Sequence, residues 1–348
     1  MRSEEETGLL VLKPGPLSVF QDAGRHGYQA YGAPVCGVMD QVAFRLANAL
    51  VGNRTLLPVL EMTLSGPQIK FMQDACIAVC GAAFTLECDG RPIALNRPHL
   101  IRTGQVLSIG SAPVSNDTPQ GQARATLAIA GGIQLNTTME SASTDLKSRM
   151  GGFHGRALMK EDRLTLNRKL GPTAVDALAH FLDQFRIYLP AGLGLGSRHH
   201  IRVTRGAHWT HFTVNQQTAF LNARYTITPS SDRMGYRLDG PSLQTEAGLQ
   251  ILSEPTAFGT IQIPPDGQPI ILMADRQTTG GYPKIANVAS VDLPVLARCL
   301  PGESIQLSLI SLNEARTVFL QREALFAQVH QALAPLGTAM EDAFVRST

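Results

Sequence analysis

The chain is cut into short apolar runs by glycine, proline, asparagine and aspartate. Such runs stand at 9–12, 77–79, 105–109, 127–130, 201–203, 261–263, 270–273 and 305–310. Runs this short, closed on both sides by turn formers, read as β-strands and leave little room for helices. Helical periodicity appears in four places. Over 40–51, Ala43, Leu46, Ala47 and Leu50 form one stripe, with Asp40 as N-cap and Gly52 just past the end. A second helix is expected at about 173–188 and a short third at about 294–299. The last, 311–333, opens on the capping box Ser311-x-x-Glu314 and carries Val318, Leu325, Val329 and Leu333. The expected fold class is therefore mainly β with a few helices.

Composition narrows the functions. Thirty basic and 28 acidic residues leave a net charge of +2, and 17% of residues are charged, against about 25% in ordinary globular chains. With no basic block there is no footprint for a phosphate backbone, so nucleic acid is excluded as an expected partner. No stretch reaches the roughly 18–20 apolar residues of a bilayer span, and the acidic start, 1–8, lacks the apolar core of a secretory signal and reads as a frayed tail. The five cysteines, Cys36, Cys76, Cys80, Cys88 and Cys299, include no C-x-x-C pair. They suit a reducing cytoplasm, with Cys76 and Cys80 as small core-strand residues. No phosphate loop, H-E-x-x-H or G-x-S-x-G element is present. Gly192-Leu193-Gly194-Leu195-Gly196 has connector spacing, and the histidines, including His199-His200 and His208-x-x-His211, lack partners at metal-ligand spacing.

The two halves echo one another. Residues 25–32, RHGYQAYG, align with 233–240, RMGYRLDG. Glu61-x-Thr63-x-x-Gly66 aligns with Glu254-x-Thr256-x-x-Gly259, and Gly104 with Gly302. Three matches in the same order argue for two related β-barrel-like halves, and ligand sites favour the junction between such units.

Four polar loops are candidates for chemistry. In the first, residues 21–27, Asp22 and Arg25 either pair or leave the Arg25 fork for a carboxylate or carbonyl of a ligand. In the second, Ser141 to Asp145 and on to Gly151-Gly152, hydroxyls and the Gly-Gly pair suit a backbone nest for an oxyanion. Ser143 there is a ligand contact or a turn residue, and no adjacent base activates it as a nucleophile. The third contains Asp232 and Arg233. The fourth combines Gln262 and Gln268 with residues 275–284, where Asp275, Gln277, Thr278 and Thr279 can hydrogen-bond an amide and Lys284 can neutralise an anion, or where a Gly-Gly hairpin is simply solvated.

The motifs Asp22-x-Gly24-Arg25-x-Gly27, Gly37-x-Met39-Asp40, Leu60-Glu61-x-Thr63, Ser143-Thr144-Asp145, Arg233-Met234-Gly235-Tyr236-Arg237-Leu238 and Gln277-Thr278-Thr279-Gly280-Gly281-Tyr282-Pro283 closely resemble the family of 5-oxoprolinase C subunits. This is also called the KipA or allophanate-hydrolase-subunit-2 family, and it is related to the carboxyltransferase part of urea amidolyase. The resemblance spans about 9–333. It implies two tandem cyclophilin-like β-barrel subdomains, here 9–196 and 197–310, with a tail at 1–8 and a C-terminal helix and tail at 311–348. It also implies one component of a complex that, with A and KipI-like B subunits, opens the 5-oxoproline lactam to glutamate at the expense of ATP held somewhere in the complex. Two alternatives follow from the same family: a biotin-dependent carboxyltransferase acting on urea or a related amide, and a KipA-like non-catalytic regulatory partner of a KipI-like protein. Asp275, Gln277 and Lys284 are the expected contacts to the reacting group, and Arg25, Ser143, Arg233, Gln262, Thr278 and Thr279 the expected substrate-binding set. No metal is expected. Asp40 is assigned as a helix cap and Glu61 as a buried anchor for the loop of Arg25.

Overall fold

The computed structural model describes residues 8–53, 57–113, 122–190, 193, 200–245 and 251–345. Residues 1–7 of the N-terminal segment, the glycine connector at 192–196 apart from Leu193, and His199 lie outside them. In the first half two antiparallel sheets face each other. One has six strands in the order Arg163–Leu164, Leu9–Lys13, Gln68–Phe71, Val106–Ile109, Leu86–Cys88 and Arg91–Pro92. The other has five: Leu17–Gln21, Val59–Thr63, Arg124–Ile129, Ala75–Gly81 and His99–Ile101. Between them lies a core that includes Leu9, Phe20, Leu60, Ile77, Val79, Leu127 and Ile129.

The strand at Ala75–Gly81 shows why this sequence forms a layered structure. Successive side chains point to opposite faces. Ile77 and Val79 enter the inter-sheet core, while Cys76, Ala78 and Cys80 face a layer of helices. The small residues let helix α1, Gln41–Leu50, approach the sheet closely. Cys76 and Cys80 are fully buried, and burial pushes the Cys76 thiol up to about 12. Both are inert core residues. Helix α1 is capped as its sequence requires, with Asp40 accepting from the Val42 and Ala43 N–H groups.

Helix α2, Val175–Gln184, joins the same layer through Leu178. The second half carries α3, Val214–Asn222, and α4, Leu293–Arg298, and is a closed barrel. Its strand order is His200–Arg205, Lys284–Val288, Thr260–Gln262, Ile270–Leu272, Gly235–Asp239, Arg224–Ile227 and Ser304–Leu309, the last pairing in parallel with the first. Helices α5, Leu312–Ala332, and α6, Ala334–Ala343, return to the first half, where Phe326, Val329, Leu336 and Met340 cover the helix-facing side of its sheet. The capping box at Ser311 and Glu314 is formed.

The internal echoes divide. Gly104 and Gly302 are geometrically alike, with φ of +91° and +89°, and each donates its N–H at 2.7 Å to the end of a strand, at Phe71 and Ile227. The segments beginning at Arg25 and Arg233 differ: the first is a loop with a 3-10 turn at Gln29–Tyr31, and the second runs into the strand Gly235–Asp239. Their likeness lies in the arginine and glycine types, not in the backbone path.

Candidate functional site at the junction of the two halves

The halves are held together by buried polar groups. Arg124 donates to the Tyr236 hydroxyl at 2.5 Å and to the Ala297 carbonyl at 2.7 Å, and Met39, just before α1, packs in the barrel's apolar core. Arg233 makes the central connection. Its backbone carbonyl accepts from Asp275 N–H at 2.8 Å, which lays the loop after Ile270–Leu272 against it. Its guanidinium then grips Asp275 through two bonds of 2.8 Å, donates to Glu61 and to the Gly37 carbonyl at 2.7 Å, and is 5% exposed. Burial works against its charge, but Asp275 and Glu61 outweigh that and hold its pKa above the ordinary arginine value. The second oxygen of Glu61 accepts from Met39 N–H at 2.7 Å. Glu61 therefore anchors Arg233 across the junction and the turn before α1, which corrects its assignment to the loop of Arg25.

The first-half wall is built around Asp22. Its carboxylate accepts from Gly24 N–H, the Ser141 hydroxyl, Ala142 N–H and the Ser143 hydroxyl at 2.8, 2.7, 2.6 and 2.5 Å. Arg25 does not pair with it. Instead the Arg25 guanidinium, wholly buried, donates to the carbonyls of Thr138, Ser143 and Pro34. Gly151 and Gly152 are required by close packing, since a Cβ would stand 2.2 Å from the Ser143 carbonyl oxygen or 2.0 Å from the Thr144 hydroxyl. That pair thus braces the wall from behind and does not form the open nest expected from sequence. Arg25 and Ser143 have no surface turned to a ligand.

Between this wall and the barrel lies a cleft of about 560 Å³. Leu17, Pro34, Asp145 and Lys147 line it from the first half, and Arg233, Asp275, Arg276, Gln277 and Thr278 from the second. Four sequence candidates thus converge on one cavity. Lys284, Gln262 and Thr279 lie behind it, around the two-stranded ribbon of Glu254–Pro255 and Thr279–Gly280. There Lys284 Nζ meets Glu254 at 2.9 Å and the Gly280 carbonyl at 3.3 Å. His208 accepts from Lys284 N–H on Nδ1 at 3.1 Å, which leaves its proton on Nε2, 3.2 Å from Glu254. Lys284 is therefore engaged and is not a free cation in the cleft. Gln262 is buried, its side-chain oxygen has no partner among the described residues, and a Cβ on Gly280 would lie 3.4 Å from that oxygen and 3.5 Å from Gln277 Nε2. The two glutamine amides thus flank the Gly280 backbone and link the ribbon to the cleft.

Among the described residues no group of three His, Cys, Asp or Glu side chains is placed to hold a metal ion, and no helix is long and apolar enough to cross a membrane. Local sequence does not set Asp145 and Arg276 apart as site residues. Each sits beside a stronger candidate, and only the paired geometry of Arg233 with Asp275 shows which neighbours remain unengaged.

The profile of the carboxyltransferase domain, subdomains A and B, matches residues 31–309, which include every cleft-lining residue named above except Leu17. The chain belongs to the carboxyltransferase-domain family. It is 36% identical to the C subunit of the 5-oxoprolinase of Haemophilus influenzae and 35% identical to that of Escherichia coli K12, in each case over 92% of this chain and 97% of the relative. The crystal structure of the K. lactis urea amidolyase superposes with a TM-score of 0.80 at 31% identity, covering 92% of this chain and 20% of that one. The mostly β fold of this chain is that of a carboxyltransferase domain.

Proposed function

We propose that the chain is the C subunit of an ATP-dependent 5-oxoprolinase and opens the 5-oxoproline lactam to L-glutamate together with an A and a KipI-like B subunit in the cytoplasm. The observation that carries this reading is the end-to-end match to two bacterial 5-oxoprolinase C subunits, 97% of whose length is covered. In the reaction water adds its oxygen to the lactam carbonyl carbon, the ring C–N bond breaks, and the nitrogen takes a proton. Gln277 and Thr278 offer hydrogen-bonding groups to the lactam amide. Asp275, held by Arg233, fixes the floor beneath it, and Lys284 and Gln262 set the position of that floor from behind. The lining is a poor seat for a triphosphate, because Arg233 is already neutralised by Asp275 and Glu61, and Asp145 and Asp232 oppose the remaining cations. We therefore place the nucleotide on the other subunits.

A second reading is favoured by the superposition on urea amidolyase: a carboxyltransferase that works on urea or a related amide with biotin supplied by another protein. The polar groups of Gln277 and Thr278 also suit a ureido ring. One reconstitution separates the two readings. The A and B subunits mixed with this chain are expected to release glutamate from 5-oxoproline in step with ATP hydrolysis, and equal release without this chain would overturn the first reading.

A further inference from the structure

The charged groups of the cleft fall into two kinds. Arg233 and Asp275 satisfy one another. Arg276 and Asp145 do not have partners of that quality. Arg276 is 7% exposed; among the described residues its Nε has no partner, and its Nη1 makes two 3.5 Å approaches to the carbonyls of Met273 and Ala274. That distance is the outer limit of a hydrogen bond. Burial lowers its pKa, which Cys36 and Asp275 only partly oppose. Asp145 is 3% exposed. One of its oxygens caps the turn at Lys147 and Ser148 through their N–H groups, at 3.0 and 3.3 Å, and the other, Oδ2, is buried with no partner among the described residues. The two side chains come from opposite halves and line the same cleft.

A buried guanidinium with unused donors and a buried carboxylate with an unused acceptor are each unfavourable when left bare. One ligand relieves both if it brings an anion and an N–H group on a small frame. We propose that the cleft selects a small molecule bearing a carboxylate and an amide N–H, with the carboxylate seated on Arg276 and the N–H donating to Asp145 Oδ2. This assignment rests on the reading of the cleft as a cyclic-amide site and adds the residues that discriminate the substrate.

Calorimetric binding to the full chain, alone and assembled with the A and B subunits, tests it with three probes. These are L-5-oxoproline, its neutral carboxamide, and the lactone analogue in which a ring oxygen replaces the N–H. Losing either group is expected to weaken binding to the native chain by about 10-fold or more, as for charge-assisted hydrogen bonds. Arg276→Gln is expected to bring the first ratio to within about 2-fold of unity while keeping the second, and Asp145→Asn to do the reverse. Arg276→Lys, which retains the charge, is expected to keep part of the carboxylate preference, and melting curves confirm that each variant is folded. Ratios that persist unchanged in both variants, or no saturable binding of 5-oxoproline to the native chain in either setting, would overturn the assignment. If the ratios follow the variants but the assembled subunits release no glutamate, the recognition stands and the lactam-opening reading fails. If glutamate release keeps its native KM in both variants, the function stands and the recognition fails.

Discussion

Arg25 and Arg233 stand in matching motifs of the two halves and are both buried, yet they do different work. Among the described residues the Arg25 guanidinium donates to three carbonyl oxygens of its own half and holds the loop around Ser143 in shape. Arg233 meets two carboxylates and a carbonyl, and two of those three partners, Glu61 and Gly37, belong to the other half. One arginine rigidifies a wall of the cleft, and the other joins the walls. The same residue type in a similar local sequence thus has different partners in the two halves and, with them, a different mechanical role.

The largest expected effect breaks the junction. Arg233→Met leaves Glu61 and Asp275 buried without a counter-charge and is expected to lower the unfolding free energy by about 3–5 kcal/mol. Urea denaturation would show this, and the double variant with Glu61→Gln is expected to fall short of additivity by at least about 0.5 kcal/mol. Additive effects would mean that the two groups do not act as a unit. Arg25→Met removes donors from carbonyls but strands no charge, so a smaller loss of about 1–3 kcal/mol is expected. A loss equal to that of Arg233→Met would erase the distinction between the two arginines.

The smallest effect is a titration that samples both halves. His99 in the first half and His208 in the second have pKa values below the ordinary 6.5, mainly through burial, with Glu254 opposing the shift at His208. A histidine whose folded pKa is lowered takes its proton later than the unfolded chain does. Its contribution to stability is therefore present above about pH 6.5 and is lost as the pH falls below that value. His99→Gln and His208→Gln are each expected to flatten the decline in melting temperature between about pH 7 and about pH 5.5. A decline as steep as in the native chain would remove both groups from its cause.

Much of the fold is legible because its signals are local. The short apolar runs at 77–79 and 127–130, the Asp40 cap and the Ser311 capping box each specify their element within a few residues. Helix α6 is not legible in the same way. Pro335 in its first turn reads as the stop of α5, although proline is well tolerated there, and Gly337 dilutes its apolar stripe. Helix α3 buries only Phe220 and shows little stripe at all. At the site, the sequence marks Asp275, Gln277, Thr278 and Arg233 as polar residues between glycines, and they do line one cleft. It does not reveal that Arg25, Ser143 and Lys284 are engaged elsewhere, because pairing across 118 residues, as from Arg25 to Ser143, leaves no local trace. Asp145 and Arg276 are hidden for the same reason, since an unpartnered group is recognised only once all its neighbours are placed.

The most direct test of the cleft as the working site is the rate of ATP-coupled glutamate release by the three assembled subunits carrying Thr278→Trp in this chain. The bulky ring is expected to fill the cavity between the halves and reduce the rate by about 100-fold, toward that of the system lacking this chain, with the melting temperature of the chain preserved. Undiminished release from a folded Thr278→Trp protein would contradict the placement of the reaction between the two halves.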